Sequence, residues 1–124
     1  MSKSATKPRI LIVDDEEEIR DSIALLMNSE GFVVDAVADG DACLRQIETK
    51  SYDLVLLDLM LPGRSGLEIQ KELKKIDPTL PVIIITAMAV VETAVDAIRS
   101  GAYDYVTKPW DNDKLMVSVN NAVK

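Results

Sequence analysis

Residues 54–63 read LVLLDLMLPG. Leu54–Leu57 is apolar at every position, so a strand made from it has no face suited to water. Such a strand belongs inside a parallel sheet covered on both sides. Asp58 ends the run, and Pro62 and Gly63 turn the chain away. The pattern recurs three times. Ile10–Val13 runs into Asp14 and Asp15, Val82–Ile85 into Thr86, and Tyr103–Val106 into Thr107, Lys108 and Pro109. Open parallel sheets bind ligands at the carboxyl ends of their strands. Aligned in parallel, these runs bring three carboxylates, a hydroxyl and an ammonium to one edge. That set suits a divalent cation together with a phosphoryl group.

Helical spacing separates the runs. Ile19, Ile23, Leu26 and Met27 share one face, and Gly31 is a good C-terminal stop. Phe32–Val37 reads as a second strand, whose Asp35 suits an exposed edge. Asp39 can cap a helix carrying Ala42, Cys43 and Ile47 inward. Ser65 can cap another with Ile69, Leu73 and Ile76 inward, ended by Asp77-Pro78 and Pro81. Val91, Ala94, Val95 and Ile98 are the expected inner face of a fourth helix ending at Gly101. Asp111 can cap a fifth, with Leu115, Val119 and Ala122 inward. With strands at Arg9–Val13, Phe32–Val37, Asp53–Asp58, Val82–Ile85 and Tyr103–Val106, five βα units predict an α/β, doubly wound (βα)5 sheet. Right-handed crossovers place helices on both faces. Residues 1–7 read as a disordered leader and 8–124 as one domain with no visible linker.

Composition narrows the chemistry. At 124 residues with 48% hydrophobic content, the chain can bury a real core. A net charge of −7 argues against direct binding of nucleic acid or an anionic membrane. No stretch approaches the roughly 18 apolar residues of a membrane span. A lone cysteine, Cys43, allows no internal disulfide, and a cytoplasmic location follows as the expectation. The absence of histidine excludes Ser-His-Asp and Cys-His catalysis and His-ligated zinc. Any metal should be hard and oxygen-seeking, such as Mg²⁺ (or Mn²⁺).

Asp14–Glu18 is five acidic residues in succession. Glu16, Glu17 and Glu18 read as a solvated helix start, where acidic side chains favour the dipole. Asp14 and Asp15 directly follow a buried strand, where a cation would offset their mutual repulsion. Asp58 adds a third carboxylate if the first and third strands are neighbours. Carboxylates can act as covalent nucleophiles toward phosphoryl groups, and phosphoryl transfer needs mainly positioning and charge neutralisation. Lys108 is placed to pair with Asp58 or a phosphoryl oxygen, and Thr86 to donate a hydroxyl to one. Other chemistries fit less well. A phosphatase of the haloacid dehalogenase type needs a second acid where Met60 stands. Gly63-Arg64-Ser65-Gly66 lacks the Gly-Lys-Ser/Thr end of a P-loop. A purely structural module would have no need of the complete acidic, hydroxyl and lysine set.

Together, Ile10–Asp15 (ILIVDD), Leu54–Gly63, Ile83–Ala87 (IIITA) and Gly101–Pro109 (GAYDYVTKP) resemble the receiver domain of two-component response regulators, in order and spacing across nearly the whole chain. The resemblance implies a flavodoxin-like fold, a five-stranded parallel sheet of order 2-1-3-4-5. It implies that Asp58 is the phosphoacceptor. Asp14 and Asp15 would form the acidic pocket, with Asp15 the direct metal ligand of the two, and Met60 would offer its backbone carbonyl to the metal. Lys108 and Thr86 would contact the phosphoryl group. Tyr105 would be the switch aromatic that turns inward with Thr86. The implied donor is a sensor histidine kinase or a histidine phosphotransfer protein. The implied readout is the surface of the fourth helix, fifth strand and fifth helix, used by a homodimer or an output domain outside this chain. Such a domain turns over no separate substrate. GAYDYV further resembles receivers of transcriptional activators of the nitrogen-regulator kind. Trp110, where phenylalanine is common, is expected to pack at a helix cap.

Overall fold

The apolar runs become the middle of the molecule. The computed structural model describes residues 7–124; the expected leader lies outside them except for Lys7. Along the chain stand β1 (Arg9–Val13), α1 (Glu17–Ser29), β2 (Val33–Val37), α2 (Gly40–Thr49) and β3 (Leu54–Leu57). They are followed by α3 (Gly66–Ile76), β4 (Val82–Thr86), α4 (Val91–Arg99), β5 (Asp104–Thr107) and α5 (Asn112–Ala122). The strands form one five-stranded sheet of order β2-β1-β3-β4-β5, parallel throughout. This is the flavodoxin-like doubly wound arrangement expected of the sequence.

Alternation along each strand divides the core in two. Leu11, Val13, Val55, Leu57, Val82 and Ile84 face one side and pack with Cys43, Ile69, Leu73 and Ala97 from α2, α3 and α4. Ile10, Ile12, Leu54, Leu56, Ile83 and Ile85 face the other, against Ile23, Met27, Leu115 and Val119 of α1 and α5. Each fully buried aliphatic side chain contributes about 1.5–3 kcal/mol relative to exposure. This double burial is why β3 and β4, and β1 after its first residue Arg9, carry no polar residue until their carboxyl ends.

The caps form as expected. Asp39 accepts from the amide of Ala42, Ser65 from Glu68, and Asp111 from Asp113 and Lys114. Gly31 ends α1 at φ +92, a conformation that L side chains rarely adopt. Asp35 sits on the edge strand β2, where it accepts from the Tyr52 hydroxyl at 2.7 Å. That bond, with smaller help from Lys50 and Arg9, holds its carboxyl below the ordinary range despite burial.

Two expected inner faces are corrected. Ile76 is 49% exposed, and Gln70 is buried in α3 instead. In α4, Val91 (77%), Val95 (40%) and Ile98 (46%) face solvent, while Ala97 is fully buried. The helix is turned by about a third of a turn from the sequence expectation. Its inward side carries small residues, fully buried Ala97 with half-buried Thr93 and Ala94.

Two glycines mark close approaches around the third crossover. A methyl group on Gly66 would lie 2.5 Å from the Leu59 Cα and closer still to the Asp58 carbonyl oxygen. One on Gly40 would meet only the Ile69 side chain. Backbone cannot yield as a side chain can. Gly66→Ala should therefore destabilise by about 3 kcal/mol, at or above the usual overpacking range, and Gly40→Ala by about 1–2. Urea unfolding of the two variants checks this ranking, and the reverse order would contradict it.

Candidate functional site

Register brings the acidic residues together. Val13 pairs with Leu57 across β1 and β3, so Asp14 and Asp58 leave the sheet side by side. The Asp58 amide donates to the Val13 carbonyl at 3.0 Å, and the Asp14 amide to the Val37 carbonyl at 3.2 Å. Across β4 and β5, Thr86 pairs with Thr107. The Lys108 amide then donates to the Thr86 carbonyl at 2.8 Å, continuing the ladder one step beyond the strand. Lys108 and Pro109 are joined by a cis peptide bond.

Lys108 reaches back across the edge. Its Nζ donates to Asp14 Oδ2 at 2.7 Å and to Asp58 Oδ2 at 2.9 Å, with Glu16 Oε1 at 3.3 Å. The other carboxylate oxygens are held by the backbone. Asp14 Oδ1 accepts from the Glu16 amide at 2.9 Å, and Asp58 Oδ1 from the Met60 amide at 3.0 Å. Asp14 is only 2% exposed and Asp58 4%. Burial raises the pKa of the Asp14 carboxyl, and the Asp58 charge adds to this; Lys108 and the Glu16 amide only partly oppose it. Burial alone would lower the Lys108 pKa, but the two carboxylates bonded to it push it above its ordinary value. The ammonium therefore stays charged at neutral pH.

Asp14, Asp15, Glu16 and Asp58 offer oxygens that all lie within 4.8 Å of one another. Asp15 and Glu16 are exposed, Asp14 and Asp58 buried. Such an oxygen-only donor set, half open to solvent, fits a hard cation such as Mg²⁺ or Mn²⁺. Glu16 was assigned by sequence to the solvated helix start. Its position directly after Asp14-Asp15 was the available signal for its place in the cluster.

Thr86 is fully buried at the neighbouring strand end. Its Oγ1 accepts from the Met88 amide at 3.4 Å, and the Tyr105 hydroxyl donates to the Met88 carbonyl at 2.5 Å. One loop residue thus ties the threonine to the tyrosine. Tyr105 is half-buried; burial first, and then the charge of Asp58, raises its hydroxyl pKa. Trp110 packs against the α1–α5 side of the core and donates Nε1 to Asn112 Oδ1 at 2.9 Å, as a cap-packing residue should. The Met60 side chain is exposed, and its backbone amide contacts the site at Asp58 Oδ1.

Removing one partner of a buried ion pair typically costs about 3–5 kcal/mol. Lys108→Met should destabilise by about 3 kcal/mol at pH 7. Lys108 lowers the pKa of the Asp14 carboxyl, so without the ammonium that carboxyl, already raised by burial, rises further above its unfolded value. The added cost is therefore present above the carboxylate range and fades as protons neutralise Asp14 at lower pH. The gap between the urea midpoints of wild type and variant should narrow as pH falls from about 7 toward about 4, the unfolded carboxylate range, and a constant gap would contradict this electrostatic account.

Comparison with known proteins concerns the same residues. Residues 10–120 match the family described as Response regulator receiver domain. A response regulator described as NtrX-like from Rickettsia bellii is 44% identical over 115 residues, covering 91% of this chain and 24% of that protein. The transcriptional regulatory protein DltR of Streptococcus agalactiae is 41% identical over 111 residues, 90% of this chain and 50% of its own length. The chain thus spans half or less of these curated relatives. Among solved structures, a CheY-like response regulator receiver domain protein from Methanospirillum hungatei superposes with a TM-score of 0.91 at 31% identity, covering 95% of this chain and 94% of that one. NtrX from Brucella abortus gives 0.89 at 40% identity, covering 95% of this chain and 27% of its own.

Proposed function

Because the chain belongs to the response regulator receiver family, we propose that it is a phosphorylation-controlled switch whose acceptor is Asp58. The observation that carries this is the single ammonium of Lys108 bonded to both Asp14 and Asp58 at the carboxyl edge of the sheet. The donor is a phosphohistidine on a partner, a sensor histidine kinase or a histidine phosphotransfer protein, in keeping with a chain that has no histidine. An Asp58 carboxylate oxygen attacks phosphorus as the partner's N–P bond breaks, leaving an aspartyl phosphate here and imidazole there. Asp14, Asp15, Asp58 and the Met60 backbone carbonyl would hold Mg²⁺ or Mn²⁺, which would supply positive charge to offset the carboxylates facing the phosphoryl oxygens. Lys108 releases one carboxylate contact for a phosphoryl oxygen and keeps the site near neutrality.

Thr86 is the sensor. Its hydroxyl turns to the new phosphoryl oxygens, and the Met88 link carries that movement to Tyr105. The aspartyl phosphate then biases a two-state equilibrium of α4, β5 and α5. The exposed stripe of Val91, Val95 and Ile98, with Tyr103 at 49% exposure, suits that surface to a homodimer or an output domain carried outside this chain. The output is transcriptional, of the nitrogen-regulator kind, and contact with DNA belongs to that other domain. The receiver works in the cytoplasm and catalyses only its own phosphorylation and dephosphorylation.

Incubation with Mg²⁺ and a small phosphodonor, followed by intact mass under mild conditions, should show one phosphoryl adduct that disappears in Asp58→Ala. An adduct that persists in that variant refutes the assignment. Thr86→Ala should still accept the group, while the amide shift changes across residues 88–105 fall to a small fraction of wild type; an unchanged response would remove Thr86 from the relay.

A further inference from the structure

The two ends of α4 are held very differently. At its C-terminus, Gly101 at φ +107 closes a Schellman turn. The Gly101 amide donates to the Ile98 carbonyl and the Ala102 amide to the Ala97 carbonyl, both at 3.0 Å. A side chain from α3 joins the same acceptor. Gln70, fully buried, donates Nε2 to the Ala97 carbonyl at 2.9 Å. A carbonyl can only accept, so this contact sets which end of the amide faces α4. The other end, Oε1, is buried with no hydrogen-bond partner among the described residues. One helical turn on, the Lys74 stem lies under the turn, where a methyl group on Gly101 would come within 3.2 Å of its Cε. Lys74 is itself tethered, donating Nζ to the Leu80 carbonyl at 2.7 Å.

Nothing comparable holds the N-terminus. Val90, the residue before the helix, supplies no side-chain cap. It is 52% exposed and Val91 77%. The Met88 carbonyl, bound by Tyr105, is the nearest fixed point.

A half-satisfied amide in this interior is costly beside a leucine of similar size. What the glutamine adds is a directional bond to one carbonyl of one helix. We infer that Gln70 is a positioning residue that pins α4 at Ala97, so that movement at Thr86 swings the N-terminal end of the helix about this point instead of sliding the whole helix. The inference rests on the switch reading above for what drives the swing, but not for the pin itself.

Gln70→Met keeps length and apolar volume and removes the donor. Amide hydrogen exchange on the unphosphorylated protein tests the pin. The Ala102 amide, which shares the Ala97 acceptor, should exchange about tenfold faster in the variant, while the Leu57 amide in the central strand keeps its rate. A merely structural loss would speed both alike. With Mg²⁺ and a phosphodonor, wild-type shift changes should concentrate at residues 88–94. In Gln70→Met, which should take up the same phosphoryl mass, they should extend through 97–102. Unchanged exchange at Ala102, an equal rise at Leu57, or wild-type shifts as large at 97–102 as at 88–94 would each overturn the pin. Absence of any adduct would overturn the switch reading and the swing with it, while the exchange result still decides whether Gln70 holds the helix.

Discussion

The Lys108 ammonium lies between two buried carboxylates, 2.7 Å from Asp14 and 2.9 Å from Asp58. Those three groups come from the ends of β1 and β3 and from the residue just after β5. They can meet only if β1, β3, β4 and β5 are parallel and in their observed register. A slip of one residue would turn Asp14 or Asp58 toward a core face, where an unpaired charge is prohibitive. The apolar strands supply the free energy that holds the register, and the lysine bridge is where that register becomes chemistry.

Such a bridge is poor evidence of stabilisation. Replacing a buried ion pair with apolar residues is often neutral or favourable, and the raised pKa of Asp14 shows that its charge is held against burial. Two further carboxylates, Asp15 and Glu16, stand close by on the solvent side. An arrangement that crowds four acids around one ammonium has an unmet demand for positive charge. Oxygens of those four acids, all within 4.8 Å of one another, form a set that could hold a metal ion.

The rigid sheet edge is set against a loosely held helix. Around Asp58, the Met60 backbone amide and Lys108 occupy the two carboxylate oxygens. Around α4, the inner contacts are alanines and the larger aliphatic side chains look outward. Alanine buries little area, so less free energy opposes displacement of α4 than of α1 or α3. The chain of contacts from Thr86 through Met88 to Tyr105 passes through the loop just before this weakly packed element, and the polar bond from Gln70 steadies its far end.

Much of this was readable before any coordinates. Continuous apolar runs separated by helical spacing, caps at Asp39, Ser65 and Asp111, and chemistry-bearing residues after the apolar runs are local properties, and local sterics and hydrogen bonding enforce them. They determined the fold class, the strands to within a residue or two, and the set Asp14, Asp15, Asp58, Thr86 and Lys108. The resemblance to receivers added the strand order and Tyr105. Which side of α4 faces the sheet was not readable, because a helix with both an aliphatic stripe and an alanine stripe can dock on either. The choice follows from how closely its backbone must approach β4 and β5. The burial of Gln70, the exposure of Ile76 and the inclusion of Glu16 are likewise decided by neighbours distant in sequence. The sequence alone determined what chemistry gathers at the sheet edge; only the tertiary structure decided that one ammonium joins two of those carboxylates, and that one end of α4 is pinned while the other is free, because both depend on distances across the fold.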